Sequence, residues 1–209
     1  YQPSRGLGDV YKRQPLVLDL FCCAGGVSEG FRRAGGTSFG VDLQEQPAYV
    51  ARFGDRWFKL GSALDRQILR GLVRRLKPIG IWASPPCEAS STATFAGGFN
   101  SEAPRLIAQT RDLLIELGLP YIIENVRGAV SELSKDALTL KGQEFGLETE
   151  RPRLFEAGNG LELKACAFLT EGGLDLRSRS CLGERARYSK LDSFGRRFSV
   201  PCCAGNIFL

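Results

Sequence analysis

The sequence predicts an α/β fold built on a doubly wound, mostly parallel sheet. Two observations carry this. Short, almost wholly apolar runs alternate along the chain with amphipathic segments of helical period. The runs do not alternate polar with apolar residues, so they read as strands covered on both faces. With 209 residues, 43% of them hydrophobic and 24% charged, the chain is long enough to bury a core and ordinary for a globular protein. No run of about 18 apolar residues exists and no signal-peptide pattern is present, so neither a membrane helix nor a membrane partner is expected.

The elements follow in order. Residues 1–14 have no periodicity and read as a disordered or non-native leader. Residues 16–21 (LVLDLF) form an apolar run that ends in the turn Ala24-Gly25-Gly26. A short helix is predicted over 28–34, stopped by Gly35-Gly36. Residues 37–41 read as the second strand, ended by Asp42. Over 64–76, Leu64, Ile68, Leu69, Leu72, Val73 and Leu76 share one helical face, with Arg66, Arg70, Arg74 and Arg75 opposite. Pro78 stops that helix. Residues 79–83 form a strand running into Ser84-Pro85-Pro86-Cys87. Residues 88–103 are small and polar and predict a mobile loop. Pro104 opens a helix that Gly118 ends. Tyr121-Ile122-Ile123 is a strand ending in Glu124-Asn125-Val126. Beyond Arg153 the pattern weakens, and 161–209 reads as a small, irregular, basic segment.

The charge is +5 overall and lies mostly at the ends. From residue 177 to 197 seven basic residues face only Glu184 and Asp192, a stripe able to neutralise phosphates, although a solvated face has the same composition. There is no His, which removes the commonest general base and metal ligand. Seven cysteines, two pairs of them adjacent and none spaced C-x-x-C, make a poor disulfide framework and a weak zinc site. No metal is expected, and a reducing compartment is. Met is absent even at position 1, so a fragment or a processed piece is expected.

In a doubly wound sheet, ligands lie beyond the carboxyl ends of the strands. Those ends carry Asp19 through Gly26, Asp42, Ser62-Ala63, Pro85-Pro86-Cys87 and Glu124-Asn125. Gly25 and Gly26 allow close approach of a ligand to the main chain. Asp42 is placed to accept hydrogen bonds from a ribose diol. The turn is not G-x-G-x-x-G, so the reading is a nucleoside cofactor rather than a pyrophosphate. Cys87 follows two prolines that restrict the backbone. It is either a buried structural cysteine or a pre-positioned nucleophile. Glu124 ends an apolar strand and needs a partner, for which Arg151 and Arg153 are candidates.

Four motifs, in this order, resemble those of the cytosine-5 DNA methyltransferases of bacterial and phage type. Asp19-Leu20-Phe21-Cys22-Cys23-Ala24-Gly25-Gly26 resembles the methyl-donor loop. Ser84-Pro85-Pro86-Cys87 resembles the Pro-Cys nucleophile motif. Glu124-Asn125-Val126 is similar to the Glu-Asn-Val motif, and the stretch from Glu150 to Glu156 (ERPRLFE) to the Arg-x-Arg motif. The likeness spans 18–156, about two thirds of the chain. It implies the Rossmann-like fold of S-adenosylmethionine-dependent methyltransferases over 15–160, with 161–209 as a short, incomplete target-recognition segment. It implies S-adenosyl-L-methionine as cofactor, held by Asp19, Phe21, Ala24, Gly25, Gly26, Asp42, Leu43, Ser62, Ala63 and Pro85. It implies Cys87 as nucleophile toward carbon-6 of a flipped-out cytosine, with Glu124, Arg151 and Arg153 holding the base. Double-stranded DNA is the implied partner, of a monomer in the cytoplasm, at the nucleoid of a bacterium or phage-infected cell. Three residues depart from the pattern: Cys23 replaces a usual Gly, Ser62 an acid and Glu88 a Gln. The family's closing motifs are not recognisable, so a chain truncated at its C-terminus is expected, with an exposed sheet flank and poor activity by itself. The alternatives are an RNA cytosine-5 methyltransferase, an inactive cofactor- or DNA-binding remnant and, weakest, a thiol oxidoreductase.

Overall fold

A computed structural model describes residues 14–88, 90 and 103–163. The expected leader, most of the loop 88–103, the basic stripe and the last four cysteines lie outside the described residues. At the centre of the sheet is β1 (Leu16–Leu20), with Leu18 and Leu20 fully buried. β2 (Thr37–Asp42) and β4 (Gly80–Ala83) flank it, both parallel to it. β3 (Phe58–Leu60) extends the sheet beyond β2, and β5 (Tyr121–Val126) extends it beyond β4, again in parallel. β7 (Arg153–Gly158) then pairs antiparallel with β5, and β6 (Leu138–Leu140) antiparallel with β7. The order is β3-β2-β1-β4-β5-β7-β6, an open and mostly parallel sheet as the sequence predicts.

Among the described residues, four α-helices connect or flank these strands: α1 (Gly26–Arg33), α2 (Pro47–Phe53), α3 (Arg66–Leu76) and α4 (Ile107–Leu117). α3 starts two residues later than its apolar period suggests. Asp65 caps it, its Oδ1 accepting the N–H groups of Gln67 and Ile68 at 2.8 and 3.0 Å. Leu69 and Leu72 of α3, Leu113 and Leu114 of α4, and Ile81 and Ile123 of the strands pack in one core.

Two differences from the sequence reading matter for the site. β5 does not stop at Ile123 but carries Glu124, Asn125 and Val126 as strand residues. Their main-chain groups are taken up by β7, in a register that sets Glu124 opposite Phe155 and Val126 opposite Arg153. The weak pattern after Arg153 hides that strand, because its buried face includes an acid. Glu156 is 2% exposed and is held by Arg111 of α4, whose Nε and Nη2 reach its two oxygens at 2.6 and 2.8 Å. The Ser134 N–H donates to it as well, at 2.6 Å.

Candidate active site at the strand ends

After β1 the chain reverses through a tight loop in which Phe21, Cys23 and Gly25 all take left-handed φ values, of 59°, 45° and 85°. At Gly25 no other residue fits. A Cβ there would lie 2.5 Å from Phe53 Cε2 and 2.8 Å from Tyr49 Cδ2. These two rings of α2, with centroids 4.7 Å apart, floor the loop. Cys23 adopts a similar conformation without a glycine's freedom, which stores strain in the loop.

Asp42, at the end of β2, holds the loop down. Its Oδ2 accepts the Cys23 N–H at 2.9 Å and its Oδ1 the Gln44 N–H at 3.0 Å. Each oxygen keeps a lone pair for a further donor. Asp19 lies deeper, 1% exposed. Ser28 Oγ donates to its Oδ2 at 2.7 Å and stands 3.0 Å from the Tyr49 hydroxyl. Asp19 Oδ1 has no hydrogen-bond partner among the described residues. Burial pushes the Asp19 carboxyl up to about 7, against the Ser28 hydrogen bond and with the Asp42 charge adding to the effect. Burial likewise pushes up the Cys22 and Tyr49 side chains beside it.

The other expected donor-side residues line the same edge. Phe21 is half-buried against the core, while Ala24 and Gly26 are exposed. Leu43 is 71% exposed at the end of β2. Ser62 sits half-buried past β3, its Oγ accepting the Leu64 N–H at 3.2 Å, and Ala63 is buried beside it.

Across the sheet, β4 runs into Ser84-Pro85-Pro86-Cys87. This turn is tied to β5: the Asn125 Nδ2 donates to the buried Pro85 carbonyl at 3.0 Å, and Asn125 itself is 2% exposed. Cys87 is a half-buried free thiol. The donor loop and the Pro-Cys turn leave the neighbouring parallel strands β1 and β4 at the same edge of the sheet.

Glu124 faces Arg153, with Nε 3.0 Å from Oε1. Burial pushes the Glu124 carboxyl up; Arg153, the neighbouring Ser84 and the more distant Arg151 oppose this. Arg153 Nη1 also donates to the Pro152 carbonyl at 2.9 Å. Arg151 is exposed, with φ at 30°, a strained value for a non-glycine residue.

Sequence reasoning missed Asn125 as a tether and Tyr49 with Phe53 as the loop's floor. Asn125 carried a readable signal, a polar residue inside an apolar strand. α2 carried none, since seven residues give too short a period. Among the described residues no group of three or more His, Cys, Asp or Glu side chains could hold a metal ion. None of their helices is long and apolar enough to cross a membrane.

Solved structures of similar fold include the methyltransferase EhMeth of Entamoeba histolytica, 17% identical with a TM-score of 0.52, covering 74% of this chain and 55% of that one. The Dnmt2 methyltransferase of S. pombe is likewise 17% identical with a TM-score of 0.52, over 73% of this chain and 52% of that one. A protein encoded within an E. coli prophage and assigned as a DNA modification methyltransferase is 24% identical, with a TM-score of 0.48, over 69% of this chain and 46% of that one. The chain thus spans about half the length of the solved structures it matches. Among curated proteins there is no match. The family model for C-5 cytosine-specific DNA methylase matches residues 16–155. That stretch opens with β1 and closes within β7, so it takes in the whole edge of the sheet on which these side chains meet, and the chain belongs to the C-5 cytosine-specific DNA methylase family.

Proposed function

We propose that residues 15–160 form the catalytic part of an S-adenosylmethionine-dependent DNA cytosine-5 methyltransferase, and that 161–209 belong to target recognition. The observation that carries this is the tie between the Pro-Cys turn and β5. Asn125 holds the Pro85 carbonyl, which couples the Cys87 loop to the strand bearing Glu124 and, through it, to Arg153.

The donor side fits the cofactor. Among the described residues neither Asp19 nor Asp42 has a cationic partner, and Asp19 Oδ1 is unpaired. Such an anionic floor suits a sulfonium and an ammonium group. Gly25 lets the main chain approach, the free lone pairs of Asp42 suit ribose hydroxyls, and Phe21 and exposed Leu43 suit an adenine ring. Ser62, Ala63 and Pro85 would border it, with the Ser62 hydroxyl in place of the usual acid. When bound, S-adenosylmethionine supplies an electrophilic methyl group.

On the base side, the Cys87 thiolate adds to carbon-6 of cytosine, and the displaced electron pair makes carbon-5 nucleophilic. Glu124 holds ring nitrogen 3 and the exocyclic amine, steadying the charge that develops. Arg153, with Arg151, holds the carbonyl oxygen of the base and keeps Glu124 in place. Once carbon-5 is methylated its proton leaves, the carbon–sulfur bond breaks and the thiolate returns. A stacked base cannot reach such a site, so the target cytosine is flipped out of the duplex.

Duplex DNA bearing 5-fluorocytosine, incubated with the protein and S-adenosylmethionine, tests this. The expected product is a covalent adduct that mass spectrometry maps to Cys87 and that Cys87→Ala abolishes. Methyl transfer surviving in Cys87→Ala overturns the mechanism. Transfer to an RNA of the same sequence but not to DNA replaces DNA by RNA as substrate.

A further inference from the structure

Two glycines lead the Tyr49 side chain of α2 toward a carboxylate on β1. The β1–β2 register sets Gly40 beside Asp19, on the same face of the sheet. Gly40 has no side chain to fill that place, and the Tyr49 ring takes it: a Cβ on Gly40 would lie 2.6 Å from Tyr49 Cζ. Gly25 makes room for the same ring from the loop side, and Phe53 and Phe58 pack on it with ring centroids 4.7 and 5.7 Å away. Tyr49 is wholly buried in consequence, and its hydroxyl stops 3.0 Å from Ser28 Oγ. What lies beyond gives that contact a direction. Ser28 Oγ donates to Asp19 Oδ2 at 2.7 Å. A serine hydroxyl has one proton and an ionised carboxyl only accepts, so with that proton committed the phenol is the donor to Ser28. Asp19 is 1% exposed, and its Oδ1 has no hydrogen-bond partner among the described residues.

We propose that Tyr49 is a positioning residue for Asp19: its phenol, donating to Ser28, keeps the Ser28 proton on Oδ2 and leaves Oδ1 to a cationic ligand. Ser28 by itself could turn its proton elsewhere, since a hydroxyl rotates to suit its partners. A donor arriving from Tyr49 fills its acceptor side, and each hydrogen bond of the relay strengthens the next. Taking the cation to be the ammonium or sulfonium group of S-adenosylmethionine rests on the methyltransferase reading above; the relay does not.

Around Asp19, β2 brings Asp42, the loop Cys22 and Cys23, and α2 Tyr49 itself, while its β4 neighbour Trp82 is neutral. α1 brings Ser28 and, next to it, Glu29 paired with Arg32 and Arg33. Substitutions at Tyr49 and Ser28 change none of these charges. Both hydrogen bonds favour the ionised carboxyl, so losing either moves the Asp19 titration to higher pH. The test is carbon-13 NMR of the cofactor-free chain labelled at aspartate side chains, with the Asp19 signal assigned by its loss in Asp19→Asn. In Tyr49→Phe, which keeps the ring and removes only the hydroxyl, Asp19 should titrate about 0.5 pH unit above wild type, and in Ser28→Ala about 1 unit above. Adding Tyr49→Phe to Ser28→Ala should shift it no further. If Tyr49→Phe titrates with wild type, or shifts Asp19 as much without Ser28 as with it, the relay is wrong, whatever the activity. Should Ser28→Ala not fold, the Tyr49→Phe curve decides alone, a shift supporting the relay and coincidence with wild type overturning it. In calorimetry near pH 7, S-adenosylmethionine should bind Tyr49→Phe about two- to threefold more weakly than wild type. Unchanged affinity beside a shifted titration would take the cofactor away from Asp19 and leave the relay standing.

Discussion

The acids on the two halves of the sheet edge are kept in opposite ways. On the β1–β2 side, Asp19 and Asp42 are held by a hydroxyl and by backbone amides, with no cation paired to either among the described residues. On the β5–β7 side, Glu124 faces Arg153 and Glu156 faces Arg111. A buried carboxylate without a cation is costly, and two that act on one another more so. The first half is therefore electrically incomplete and suited to a positively charged ligand. In the second each acid is matched by an arginine. One sheet keeps two electrostatic regimes apart because the acids sit on strands whose neighbours differ: α1 and α2 on one side, arginine-bearing α4 and β7 on the other.

The largest effect should come from breaking the complete half. Arg111→Ala leaves Glu156 buried with only the Ser134 N–H and should cost about 3–5 kcal/mol in urea unfolding. Replacing both partners by leucine should recover most of the loss. A loss under about 1 kcal/mol would mean that β7 is not held by this pair.

The incomplete half should respond to pH instead. Asp19 is raised to about 7 in the fold, against an ordinary value of 3.8. Between these values the folded state holds more protons than the unfolded one, so stability falls as pH rises from about 4 to 7 and levels off above. The span is on the order of 2–4 kcal/mol. Asp19→Asn should flatten that slope in thermal melts. A slope unchanged by the substitution would place the titrating group elsewhere.

Asp42→Ala frees the Cys23 and Gln44 amides and removes negative charge from the donor side. Calorimetry with S-adenosylmethionine should show binding weakened by about 1–3 kcal/mol. No change would remove Asp42 from the cofactor site. The smallest effect is expected at Cys23, whose φ of 45° costs a side-chain-bearing residue more than it costs glycine. Cys23→Gly should stabilise the chain by about 0.5–1 kcal/mol, the relief of strain less glycine's extra entropy. Destabilisation would show that the thiol contributes packing or a contact outweighing the strain.

Legibility in the sequence followed the range of the interactions. β1, β2, β4, α3 and α4 could be read, because a buried apolar run, a 3.6-residue stripe and the stops at Pro78 and Gly118 are local signals. α2, β3 and β6 could not, being three to seven residues long, half-exposed and without a full period. β7 was obscured by Glu156, which reads as polar until Arg111, 45 residues earlier in the chain, is known to meet it.

The same division holds at the site. The sequence by itself determined which chemistry stands at each strand end: a glycine turn after β1, an acid after β2, a proline-held thiol after β4, and an acid and an amide on β5. Covalent order is enough for that, since a strand delivers its last residues to one edge of a parallel sheet. Only the tertiary structure decided what each group does there. Asp42 lies 19 residues from the Cys23 amide it holds, and Asn125 lies 40 from the Pro85 carbonyl. Hydrogen bonds and ion pairs depend on distances of about 3 Å, which spacing along a chain does not encode until the strand order brings distant segments side by side.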